Sequence, residues 1–175
     1  VYPEEPWSDL PARLRAFVAS EDAPPYSEIS LNSPLESVRV ELRPARPGEV
    51  LAQIGLWRAR AHGVDPQATA DILQRALAEA PTSGLALAGL GVVAQRLGDR
   101  DEAVRRFLAA LADTSDPAGP RVAGIGLIEA GLSRDSTGRD SLVRLGRAAL
   151  STVARLDPYD AAAADWLERT AGVAV

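Results

Sequence analysis

The chain carries one histidine, His62, and no cysteine. A zinc site draws three or four ligands from His, Cys and carboxylates. A lone His62 therefore points away from metal chemistry, and no cofactor is expected. Carboxylates stand close together at Glu4–Glu5 and at Asp99–Asp101. Paired carboxylates flanking a bond are the machinery of glycoside hydrolysis. Asp99 and Asp101, however, open a helical stretch, where negative charge meets the positive end of the helix dipole, and capping is the reading their position favours. Gly124 and Gly126 look like the start of a dinucleotide-binding fingerprint, but Glu129 takes the place of its final glycine. Close helix packing accounts for them better. HExxH, GxSxG and phosphate-loop patterns do not occur, so the chain is not expected to be an enzyme.

Composition bounds the remaining classes. Of the 175 residues, 46% are hydrophobic and 25% charged, a globular balance that supplies a core. With only 2 Phe, 3 Tyr and 3 Trp, that core must be built from Ala, Leu and Val. Small side chains favour close helix–helix contact, and Ala and Leu carry high helix propensity. The net charge of −5 comes without a basic cluster, so a nucleic-acid partner is not expected. No run of about 20 apolar residues is present, so no membrane span is expected. The chain begins at Val1 and holds no Met, which points to a natural start removed by processing or truncation. Heavy use of Ala, Arg and Gly suggests a GC-rich bacterial source, and both an exported (periplasmic) and a cytoplasmic location fit.

The elements follow from proline placement and apolar period. Eight of the 13 prolines fall in the first 47 residues, so residues 1–47 form an arm. Ser8 can cap a short helix to about Ala19. LESVRVELR (35–43) alternates as a half-buried strand, and SEISL (27–31) can pair with it as a candidate β-hairpin. From Gly48 the pattern turns helical, with Val50, Ile54, Trp57 and Ala61 recurring at helix spacing. Further helices are expected at about Pro66–Ala80, Ser83–Leu97, Asp101–Ala112, Val122–Gly131, Ser141–Leu156 and Asp160–Ala171. Asp116, Pro117, Gly119 and Pro120 read as a loop, and LSRDSTGRDS (132–141) as a polar insertion.

The hairpin at 50–81 aligns with that at 84–117 at an offset of 34. Leu73 falls on Phe107, Ala76 on Ala110, Leu77 on Leu111 and Thr69 on Ala103. This period, with Leu87, Leu90 and Gly91 in one helix and Ala103, Phe107 and Ala110 in the next, resembles the tetratricopeptide repeat family. Trp57 falls where Gly91 falls, and one or two extra residues in HGVDPQ would bring Gly55 there instead. A third hairpin at 119–158 and a capping helix at 160–171 are degenerate matches.

The resemblance implies a mostly α fold. Residues 48–175 would form a short right-handed solenoid of antiparallel helical hairpins (about 50–81, 84–117 and 119–158), following the Pro-rich arm. It also implies a groove lined by the first helix of each hairpin. Carried over by position, that groove takes Leu85, Ala88, Val92, Gln95 and Arg96, together with Leu51, Ile54, Arg58 and His62. Arg58 and Arg96 would rim an apolar surface suited to a short segment with a carboxylate near one end. The expected function is a scaffold or adaptor that binds a protein or peptide partner through this groove or its arm. Two alternatives stand beside it: an accessory region of a larger enzyme such as a bacterial zinc peptidase, and a structural subunit docked by its arm in a large assembly.

Overall fold

The computed structural model describes residues 45–173 apart from 114, 134 and 135. The arm helix from Ser8 and the strands at 27–31 and 35–43 lie outside the described residues. Among those described are seven α-helices and no strand: α1 Pro47–Arg60, α2 Pro66–Glu79, α3 Gly84–Arg96, α4 Arg100–Ala110, α5 Ala118–Leu132, α6 Ser136–Leu156 and α7 Ala161–Arg169. All seven belong to one unit, Arg43–Val175. None is long and apolar enough to cross a membrane.

Local chemistry explains where these helices start. The first backbone N–H groups of a helix lack partners within it, and short polar side chains supply them. The Asp65 carboxylate accepts from Gln67 N–H (2.9 Å), Ser83 Oγ from Ala86 N–H (3.3 Å), Asp99 from Glu102 N–H (3.0 Å) and Asp160 from Ala163 N–H (3.0 Å). Pro47 and Pro66 take first-turn positions that need no N–H. Gly98, at φ +81, closes α3.

The expected loop at 116–120 and the expected polar insertion at 132–141 both contain helical turns. Gly119 and Pro120 lie inside the first turn of α5, where proline removes a donor that has no acceptor. Asp116 accepts from Ala118 N–H at 2.8 Å and opens the helix. Of the polar stretch 132–141, Leu132 ends α5 and residues 136–141 open α6, with Gly138 at φ +86 in its first turn. A polar opening turn has no apolar period, so α6 is legible in sequence only from its first buried residues, Leu142 and Val143.

Helices α1, α3 and α5 form a row, each packed on the next. Each pairs with the helix that follows it, and α2 also packs on α3 and α4 on α5. One large side chain from each of α2 and α4 is clasped by glycines on both neighbours. A Cβ built at Gly55 would lie 2.5 Å from Leu73, and one at Gly89 2.8 Å from it. Cβ atoms at Gly91 and Gly126 would lie 2.5 and 2.4 Å from the Phe107 ring. Leu73 and Phe107 are wholly buried. At such crossings only a missing side chain lets the backbones close on the large residue.

The same contacts fix the register of α1. Gly48 faces Ala76 O and the Glu79 side chain, while Gly84 faces Ala110 O and the Asp113 side chain. The glycines are therefore offset by 36 residues and their partners by 34. The loop between α1 and α2 holds two residues more than the loop between α3 and α4. Gly55, not Trp57, is the counterpart of Gly91.

This register turns α1 about its axis. Ala52, Gly55, Leu56 and Ala59 are its buried side. The row with the clearer apolar period is open: Val50 is 43%, Ile54 44% and Trp57 71% exposed.

Candidate functional site

In the register just described, the α1 counterparts of Val92, Gln95 and Arg96 are Leu56, Ala59 and Arg60. Arg58 is instead the counterpart of Ala94. It is half-buried, with its Nε enclosed and without a hydrogen-bond partner. His62 lies exposed in the turn after α1.

Arg96 and Arg58 do meet, but not as two free cations. Arg96 Nη1 donates to Ala59 O (3.0 Å) and Arg58 O (3.4 Å), and Nη2 donates to Val64 O (2.9 Å). The guanidinium thus closes the C-terminal end of α1, whose last carbonyls lack helical partners and carry the negative end of the dipole. Leu85 and Ala88 are core residues, 5% and 0% exposed.

What remains open on the row is a face shared by α1, α3 and α5. On α3 it presents half-buried Val92 and exposed Gln95. On α5 it presents Arg121, Ile125 and Glu129, four residues apart and so on one side of the helix. Gln95 Nε2 donates to Glu129 Oε2 at 3.4 Å and bridges the two helices. Arg121 pairs with Asp160 at 3.0 Å, tying α5 to the start of α7.

Arg60 completes the face from α1. Its side chain is solvent-exposed, yet burial among surrounding atoms lowers its pKa, as does the Arg121 charge, while Glu129 acts the other way. The charges of Arg121 and Glu129 thus act on Arg60 from across the row. The composition of sequence alone gave no signal for Arg60 or Glu129, because an Arg or Glu on a helix is ordinarily a solvated face.

A recess of about 940 Å³ opens at the N-terminal ends of α1 and α3, lined among others by Arg46, Glu49, Glu79, Leu85, Asp113 and Asp116. Its central carboxylate is already committed. Asp113 accepts from Gly84 N–H (2.7 Å) and from Ser115 N–H (2.9 Å) and Oγ (2.6 Å). Burial pushes the Asp113 pKa up, but these hydrogen bonds outweigh it and hold the group below its ordinary value. In this recess the Ser115 hydroxyl and the Gly84 N–H each hold one oxygen of the Asp113 carboxylate. No protein-family model, curated protein or solved structure matches the chain.

Proposed function

We propose that the chain is a non-catalytic binding module of the tetratricopeptide kind, a short right-handed solenoid of helical hairpins that holds a protein or peptide segment along the open face of α1, α3 and α5. The observation that carries this reading is the paired clasp on Leu73 and Phe107. The same small–large–small crossing occurs twice in succession and stacks consecutive helix pairs into a row with one common face. That face combines apolar Val92 and Ile125 with the Gln95 amide and the Arg60 and Glu129 charges. An extended segment offers what such groups satisfy: backbone amides for Gln95 and side chains for the apolar strip.

Pull-down of the tagged chain with mass spectrometry of what is retained, repeated with Val92→Glu and Gln95→Arg, tests it. Retained partners are expected to be lost from both variants while helicity by circular dichroism stays unchanged. Equal retention by wild type and both variants would reject this face as the binding surface.

A further inference from the structure

Helix α7 has a seat that stands without it. Ile128 and Leu150, both wholly buried, are gripped between α5 and α6: a Cβ built at Gly146 would lie 2.7 Å from Ile128, and one at Gly124 3.1 Å from Leu150. With Val153 they form a small apolar cluster apart from the main core, and Ile125, Ala154, Trp166 and Leu167 pack against it. What α7 brings to this cluster is modest. Ala163 is its one buried apolar residue, Trp166 and Leu167 are half-buried, and the helix lies mainly on α6 while also touching α5. At nine residues it is too short to hold its shape in water by itself.

Polar ties hold its two ends. Arg121 Nη1 donates to Asp160 Oδ2 at 3.0 Å, and Asp160 Oδ1 accepts from Ala163 N–H at 3.0 Å, so one buried carboxylate both caps α7 and fastens it to α5. Arg147 donates to Thr170 O at the other end. Arg121 and Ile125 are also residues of the open face. The groups that seat α7 are thus in part those that meet a bound segment.

We infer that α7 is an exchangeable occupant of this seat, and that a helical segment of a partner with the same chemistry takes its place. That segment has an aspartate to cap the helix and meet Arg121, a small residue three positions on, and Trp-Leu three after that, as at Asp160, Ala163, Trp166 and Leu167. The inference rests on the reading of the α1, α3 and α5 face as the binding surface, and it names what that face accepts at its α5 end. A partner carboxylate that takes Arg121 leaves Asp160 buried and without its cation, a state costly enough to turn α7 out. The released helix melts, while the seat keeps its form because α5 and α6 grip Ile128 and Leu150 between them.

The probe is a fluorescent peptide of residues 158–172, and the protein is the full chain. Anisotropy should show it binding Ala163→Glu, whose own α7 does not seat, at least several-fold more tightly than wild type. Adding Arg121→Gln to Ala163→Glu should weaken that binding several-fold. If Ala163→Glu loses the whole fold by circular dichroism, Arg147→Ala, which frees the other end of α7, takes its place with the same result expected. In wild type, amide exchange followed by mass spectrometry should show residues 164–170 opening while α1–α5 stay protected. Arg121→Gln should quicken exchange there and not in α1–α4. Equal peptide binding by wild type and the released variant, binding indifferent to Arg121, or α7 amides that exchange only when the whole chain unfolds would each overturn the inference. The peptide comes from the chain itself, so these outcomes do not depend on whether the pull-down finds a partner.

Discussion

Phe107 leaves no room for a side chain on Gly91: a Cβ there would lie 2.5 Å from Phe107 Cε1, and Gly126 presses on the ring from the next helix. Because the ring is fully buried between the two, it has no direction in which to yield. Gly91→Ala is expected to destabilise the fold by about 1–3 kcal/mol of overpacking, offset in part by the roughly 1 kcal/mol that alanine gains over glycine in a helix. Urea unfolding reads the difference. Combining Gly91→Ala with Phe107→Leu should cost less than the sum of the two single changes. Strict additivity would show that the clash is absent.

Arg96 joins α3 to the end of α1 through three carbonyl oxygens. Arg96→Ala should lower stability by about 1–2 kcal/mol, the range for hydrogen bonds from a charged donor at a partly exposed site. Arg96→Lys should recover little of it, since one ammonium cannot span the three acceptors as the planar fork does. Amide hydrogen exchange should quicken near Ala61 and leave α5 unchanged. Exchange that rises equally in both places would mean a global loss rather than a lost cap.

Asp113 and Asp160 both contribute to the acid limb. Asp113 and Asp160 are each raised by burial but lowered further by hydrogen bonds, from Ser115 and Gly84 for Asp113 and from Ala163 and Arg121 for Asp160, and both end below their ordinary value. The unfolded chain therefore takes up these protons first as pH falls. Their contribution is complete above the ordinary aspartate pKa of about 3.9 and disappears as pH drops below it through the folded values. Urea midpoints from neutral pH to about pH 2.5 should fall steeply at the acid end. Asp113→Asn with Asp160→Asn should lower stability at neutral pH and flatten that fall. An unchanged acid slope in the double variant would assign it elsewhere.

Thr69 is buried at the α1–α2 crossing, with its hydroxyl donating to Asp65 O at 2.8 Å, at the place Ala103 holds on α4. Thr69→Ala removes a donor whose acceptor still receives the Thr69 N–H, so the cost should stay near or below about 1 kcal/mol. Thr69→Leu forces bulk into the same crossing and should cost several times more. Thermal melts of the two variants decide, and equal melting temperatures would show that the crossing has slack.

Much of the chain's local structure follows from residues read in order. Prolines at first turns, Asp and Ser caps, and the 3.6-residue apolar period place helices close to where they lie, because these effects act within a few residues. The helical turns missed are those where that logic is silent: Pro120 is harmless in a first turn, and the opening of α6 has no apolar side to display.

What sequence could not decide is which side of a helix is covered. On α1 the bulky row Val50, Ile54 and Trp57 gives the stronger periodic signal, yet the buried side is Ala52, Gly55, Leu56 and Ala59. Small residues add little hydropathy but permit the closest approach, and their worth appears only when a partner such as Leu73 is brought against them. The same holds for the open face. Arg96 looks like a free cation until the end of α1 is found beneath it, and Arg60 looks ordinary until Arg121 and Glu129, more than sixty residues on, are folded into its field. Local propensity and capping are written along the chain. Burial, register and shared electrostatics depend on distances between segments, and only the tertiary fold sets those.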